Sequence, residues 1–299
     1  MNRPGPETAL AARYYTDREI FEQEKARIFS RCWLYAGHTS QLATPGEKGA
    51  LSPYEGARVE EFCGFIFVNR DPGATPMAAW YPGVEAALRA YVPDIDNLAP
   101  YRTTPVEEQC NWKVTVENYN ECYHCVANHP TFAQGVIDPK NYNVTAQGHC
   151  LRHTTVAANL ERMTYPTDPS ANDHATDYGS WFLWPTFSFQ VYPGNVLNTY
   201  FFQPLAVDRT MAWRGWYTMG GAPCEVIDGL ADQDRETTLA EDVTLVNAVQ
   251  RGLNSMGYTP GPLVLDPAQG VNSEHSVAAL KGWVLSALDG RGDHRGPAG

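Results

Sequence analysis

Residues 118–130, NYNECYHCVANHP, place a carboxylate, two thiols and two imidazoles in one short stretch, a donor set suited to a metal. His124 and His129 are five positions apart, a rotation of roughly 140° on a regular helix. They can share an ion only where the helix ends or distorts before Pro130, which does not continue it comfortably. Glu117, Glu121 and His124 fall at i, i+4 and i+7. On an unbroken helix that puts them on one side, with Glu121 able to orient the His124 ring. Cys122 and Cys125 flank His124, but no second CxxC completes a tetrahedral zinc site. Two imidazoles with one carboxylate would leave positions open on iron, an arrangement suited to oxygen chemistry. A remote acidic pair, Glu241 and Asp242, offers that carboxylate. The plainer reading, two hydrogen-bonded histidines with no metal, must still accommodate these acids.

The elements that would carry these residues show in the hydrophobic pattern. After a loose leader, TDREIFEQEKARIFSRCWLYAGH begins as a helix, capped by Thr16 with Glu19 three residues on, and ends as a strand over RCWLYAG. The segment EFCGFIFVNRD reads as one further strand, and a helix is expected from Met77 to Tyr91. Three aromatic-rich runs near 181–191, 196–203 and 211–219, separated by PGN and AVDR, predict an antiparallel meander. One long helix is expected from about Leu230 to Leu253, carrying the acidic pair, and a last one from Ser273 to Leu288. The sum is an α+β fold, a curved antiparallel sheet closed over by helices.

Composition narrows the partners. With 299 residues and 43% hydrophobic side chains, the chain can bury a full core. It has 34 acidic against 22 basic residues, a formal charge of -12, and no basic run that could displace counterions from phosphates. Nucleic acid and anionic membrane are therefore not expected as partners. Seven scattered cysteines and the lack of an apolar leader or spanning run fit a cytoplasmic protein.

NWKVTVENYNECYHCVANHP closely resembles the iron-binding segment of Rieske non-haem iron oxygenase large (alpha) subunits, and within them the branch acting on carnitine, choline and glycine betaine. REIFEQEKARIFSRCWLYAGH, VEEFCGFIFVNRDP and AEDVTLVNAVQRGLNSMGYTPGPL resemble further parts of the same family, so the likeness spans most of the chain. It implies a START-like helix-grip catalytic domain with one Fe(2+) per chain. His124 and His129 become iron ligands, Asp242 the third ligand with Glu241 its nearest competitor, and Glu121 the bridging acid. The substrate implied is a small quaternary ammonium or N-methyl compound, oxidised with O2 by hydroxylation or N-demethylation.

One departure matters. The family holds a 2Fe–2S cluster through CxH and CxxH in a domain inserted between two N-terminal strands. Here only TSQLATPGEKGALSPYEGARVE separates His38 from Glu61, with neither cysteine nor histidine. No 2Fe–2S cluster is expected in this chain. The expected division is an N-terminal helix and strand over 1–45, a connector over 46–60 and the iron domain over 61–299. Electrons would come from a Rieske-bearing oxygenase subunit or a reductase, in a trimeric or hexameric assembly. The competing readings are a catalytically silent structural subunit, an iron oxygenase using a substrate-derived reductant, and a binding protein without catalysis.

For the substrate, the meander supplies aromatic rings that could face a desolvated cation. Trp184, Phe189, Tyr200 and Phe202 are the expected wall, with Arg214 the basic group in the meander; Lys113 and Arg152 are other basic candidates. His149 and His153 read as pocket or surface residues rather than as a second metal site.

Overall fold

The structure is a computed structural model that describes residues 6–42, 56–156 and 160–290. Two short N-terminal helices, α1 (Arg13–Thr16) and α2 (Arg18–Glu24), run into a wider turn over Lys25–Phe29. The cap of α2 is Asp17, whose side chain accepts from the Glu19 backbone, rather than Thr16. A small sheet follows, from β1 (Leu34–His38), β2 (Arg58–Phe62) and β3 (Phe65–Asn69), in the order β1-β3-β2. The stretch expected as one strand is thus a hairpin. Cys63 and Gly64 turn it, both at positive φ, and a Cβ on Gly64 would lie 2.9 Å from the His38 ring. The strand β2 begins at Arg58, inside the stretch expected to be connector; residues 43–55 lie outside those described.

Beyond α3 (Met77–Trp80) and α4 (Val84–Tyr91), which divide the single helix expected there, come β4 (Leu98–Glu108), α5 (Trp112–Tyr119) and α6 (Cys125–Asn128). The large sheet continues through β5 (Asn143–Gln147), β6 (Cys150–Val156), β7 (Asp177–Leu183), β8 (Phe187–Tyr192), β9 (Val196–Ala206) and β10 (Arg209–Met219). The first aromatic run is therefore two strands, and the meander has one strand more than its sequence pattern suggests. Seven strands pair antiparallel in the order β4-β10-β9-β8-β7-β6-β5. The C-terminal helices are α7 (Glu225–Glu236), α8 (Thr238–Leu253) and α9 (His275–Leu288). The long helix expected from Leu230 breaks at Thr237, whose backbone (φ -114, ψ -98) is not helical.

Alternation along the strands sorts side chains between two faces. Phe187, Phe189 and Phe201 face the small sheet, where Phe187 meets Tyr35 at 4.6 Å and Phe189 meets Phe65 at 4.7 Å between ring centroids. Burying each such ring is worth about 1.5–3 kcal/mol, so this face is a conventional aromatic core. The opposite face carries Ser188, Arg214 and Trp216 towards the helices. Ser188 bonds the Tyr119 hydroxyl of α5 at 2.6 Å, and Arg214 pairs with Asp234 of α7 at 2.9 Å. This is the sheet-over-helices arrangement of the helix grip.

A buried ion pair ties the N-terminal segment to α5. Lys113 Nζ lies 2.5 Å from Glu24, whose other oxygen accepts from the Trp112 indole at 2.8 Å. Both charges are fully buried. Burial pulls the Lys113 pKa down, against the pull of Glu24. A buried charge stripped of its partner costs about 3–5 kcal/mol. Lys113→Met should therefore lower unfolding stability by that amount in a urea titration, and an unchanged midpoint would show that the pair does not hold the two segments together.

Candidate metal centre

The helix α5 begins at Asn111, whose side chain caps the Lys113 N–H, and it stops at Tyr119. The chain then bends and restarts as α6 at Cys125. The five-residue spacing of the histidines works because of this break: His124 sits just before α6 and His129 just after it, so the two rings turn towards each other. Glu117 does not share their side. It points into the N-terminal segment, where its carboxylate accepts from the Tyr15 hydroxyl at 2.8 Å.

Three donor atoms converge. His124 Nε2 and His129 Nε2 are 3.1 Å apart, and Asp242 Oδ1 lies 3.1 Å from the latter and 3.5 Å from the former. Metal–nitrogen and metal–oxygen distances of about 2.0–2.2 Å place neighbouring donors of one ion roughly 3 Å apart. The triangle has that size, so the residues present fit a single ion. Asp242 reaches it from α8, on the same stripe as Val246 and Gln250, which are buried against the core.

The rest of the acid cluster grips the outer sides of the rings. Glu121 accepts from the His124 backbone N–H at 3.0 Å and pairs with its Nδ1 at 3.0 Å. Glu241 pairs with His129 Nδ1 at 2.8 Å. It is thus seated on the far side of a ring, not among the converging donors. Such contacts fix the tautomer and orientation of a ligating imidazole. Asn118, unremarked in the sequence, donates to Asp242 Oδ1 at 2.7 Å.

Facing this triangle is a small cleft of about 40 Å³, walled by rings from the helix side of the sheet, among them Tyr178, Tyr192 and Tyr200, with Tyr119, Phe132 and Gln190. Of the residues expected to line it, Tyr200 does. Phe202 stacks behind Tyr200 at 5.5 Å. Phe189 is on the other sheet face, and Trp184 packs between Trp112 and Trp283, so neither reaches the cleft. Arg214 lies behind the wall, 4.2 Å from the Tyr200 ring centre and committed to Asp234. Lys113 is taken by Glu24, and Arg152 lies over the buried Trp181, which shares a sheet face with Phe189. The polar members of β8, Ser188 and Gln190, alternate with Phe187 and Phe189 and mark the face of the sheet that the cleft is on. His153 is buried between Tyr142, which lines the cleft, and Ser276, and His149 stacks on Trp80; neither is among the converging donors. The Cys122 and Cys125 sulfurs, which line the cleft, are bonded to each other rather than left as thiols.

Residues 95–290 match the ring-hydroxylating alpha subunit family, catalytic domain. The chain belongs to that family. It is a non-haem iron oxidoreductase of the oxygenase type, and its family uses a mononuclear non-haem iron in the catalytic domain. It is 26% identical to the carnitine monooxygenase oxygenase subunit of Acinetobacter baumannii, over 91% of this chain and 92% of that one. To the glycine betaine monooxygenase oxygenase subunit of Chromohalobacter salexigens it is 25% identical, over 85% and 81%. The alignment to the Acinetobacter protein runs over 346 positions, more than this whole chain holds. The fold matches that of the quaternary ammonium Rieske monooxygenase CntA with a TM-score of 0.80 at 24% identity, covering 95% and 96% of the two chains. Naphthalene 1,2-dioxygenase matches at 0.74 with 13% identity, over 96% and 94%. Among the described residues no helix is long and apolar enough to cross a membrane.

Around the two imidazoles the acids favour protonation, while each ring opposes charging of the other across the 3.1 Å between their Nε2 atoms. Burial depresses the His124 pKa, but Asp242 and Glu121 outweigh it and lift it to about 9; His129 is lifted the same way by Asp242 and Glu241. Burial raises Asp242, and the two imidazoles more than reverse this, to about 2. A histidine raised from 6.5 to about 9 stabilises the fold fully below pH 6.5 and loses that contribution as pH rises through 9. The metal-free protein should therefore lose thermal stability between pH 6.5 and 9, and His124→Asn should flatten the profile. A wild-type midpoint independent of pH over that range would contradict the pairing.

Proposed function

We propose that this chain is an oxygenase component that holds one Fe(II) through His124, His129 and Asp242 and oxidises a small quaternary ammonium or N-methyl compound. The observation that carries the reading is the donor triangle, with edges of 3.1–3.5 Å, in a member of an iron-dependent family. The ion would supply O2 activation at the positions left open beside the cleft. The protein's own part is to orient and to exclude. Glu241 and Glu121 hold the ring nitrogens that face away from the donors, and Asn118 steadies the Asp242 carboxylate. Tyr178, Tyr192 and Tyr200 present rings that can face a methylated cation, which such surfaces attract once it is desolvated, and the cleft of about 40 Å³ must widen to admit one. Hydroxylation at an N-methyl carbon would release formaldehyde and leave the demethylated amine. The substrate class comes from the relatives, which are named for carnitine and glycine betaine.

Such a reaction consumes two electrons beyond those of the substrate bond being oxidised. The connector between His38 and Glu61 has no cysteine or histidine to hold a 2Fe–2S cluster, so the donor would be a Rieske-bearing subunit or a reductase docked beside Glu121. The surface next to that carboxylate carries Tyr123 and Val126, 56% and 55% exposed, an apolar rim of the kind a partner covers. A trimeric or hexameric assembly is the form in which this would occur.

Two measurements test the reading. Alanine at His124, His129 or Asp242 should each reduce bound iron far below one per chain, whereas Glu121→Gln should keep iron near the wild-type level. With a cluster-bearing partner or reductase present, Glu121→Gln should slow product formation tenfold or more, because the carboxylate that meets the partner is weakened while the ligands remain. Multiple turnovers by the isolated protein, with neither partner nor external reductant, would replace partner-fed transfer with a substrate-derived reductant.

A further inference from the structure

Of the seven cysteines, Cys32, Cys63, Cys110, Cys150 and Cys224 are free thiols, the first four of them buried. Cys122 and Cys125 are joined, with Cα atoms 4.9 Å apart and only Tyr123 and His124 between them. A bridge across so short a loop removes little freedom from the unfolded chain, roughly 2 kcal/mol on the chain-entropy account. It also links no distant elements. Stapling the fold is therefore a poor reason for it. A two-residue gap is instead the spacing at which cysteines interchange readily between dithiol and disulfide.

The position gives that chemistry a consequence. The loop closed by the bridge contains His124 itself, and Glu121, which holds both the backbone N–H and the ring Nδ1 of His124, directly precedes Cys122. Both bridged residues line the cleft that the donor triangle faces. Cys122 and Cys125 are each only 6% exposed, but Tyr123 and Val126 beside them are open to solvent, so in the chain free of a partner a small thiol approaches the bridge from that side.

We propose that Cys122 and Cys125 form a reversible dithiol–disulfide couple whose state sets how tightly the centre binds Fe(II). The inference rests on the assignment of His124, His129 and Asp242 as ligands. In the disulfide form the closed loop holds the His124 imidazole in line with the other two donors. In the dithiol form the loop is released, the ring samples other orientations, and binding weakens. The interconversion is ordinary exchange with a dithiol reductant. A reductant thiolate attacks one sulfur of the bridge, forming a mixed disulfide and expelling the other sulfur as thiolate. The reductant's second thiol then displaces the first, leaving two protein thiols and the reductant as its own disulfide. Two electrons and two protons pass to the protein, and a small disulfide oxidant such as oxidised glutathione reverses the step.

The test uses the full-length chain, prepared metal-free in each state, with excess thiol removed before titration with Fe(II) under argon. Alkylation followed by peptide mass analysis reads the state of the 122–125 pair directly. The disulfide form should bind Fe(II) at least tenfold more tightly than the dithiol form. The Cys122→Ser/Cys125→Ser protein should bind like the dithiol form and ignore both reductant and oxidant. Should that variant fail to fold, the wild-type titration in its two states carries the test alone. Equal affinity in both states overturns the couple's role, as does a pair that neither dithiothreitol opens nor oxidised glutathione closes. Binding as weak in both states as in His129→Ala would instead remove the ligand assignment on which the proposal stands.

Discussion

Asp242 meets His124 and His129 across a gap of more than a hundred residues, and the surrounding architecture is arranged around that meeting. The carboxylate comes from α8 and the imidazoles from the two ends of α6, so α5, the loop after it and α8 must keep a fixed relation. Without metal the contact is an ion-pair cluster, in which burial opposes the charges and the acids overcome it. The same acids that hold the rings charged in the metal-free protein point their nitrogens inward for a cation. On the proposed ligand assignment such a centre would be ordered before the ion binds and would give up protons on binding it.

Several contacts keep α5 and α8 in that relation. The Gln250 side chain of α8 accepts from the backbone of Asn111 at the start of α5, at 2.8 Å. The Asn111 side chain also donates to Val207 between β9 and β10, which fixes the helix to the sheet. On its other flank, α5 is tied to α2 through Lys113 and Glu24. The break at Thr237 separates α7, which answers Arg214 with Asp234, from α8, which presents Asp242. A continuous helix over both would fix their faces relative to each other; the kink lets each carboxylate meet its own partner.

The sheet divides its aromatic residues by function through parity alone. One set packs against the small sheet and is core. The other set, richer in tyrosine and interleaved with serine and glutamine, walls the cleft. Arg214 shows why a basic residue in such a wall need not bind an anion. Its charge is neutralised by Asp234 and its plane lies 4.2 Å from the Tyr200 ring centre, so it stiffens the wall from behind.

Much was legible in the sequence because it is local. The donor types and their spacing lie within one segment, the aromatic meander has the period of strands, and the resemblance of NWKVTVENYNECYHCVANHP to a known iron segment carried the family and the fold. Other features were decided only by tertiary contacts. Glu241 and Asp242 are neighbours of the same charge, and which one joins the imidazoles depends on the rotation of α8 against α6. The side of Glu117 depends on where α5 stops, which is settled by its packing rather than by propensity. Hairpins replaced single strands at Cys63–Gly64 and before Phe187, since a turn's backbone geometry leaves a fainter trace than hydrophobic period does. Which rings face the cleft is a matter of register, and a shift of one residue exchanges every side chain between the faces. The bond between Cys122 and Cys125 needs two sulfurs brought together by a bend that no spacing rule foretells.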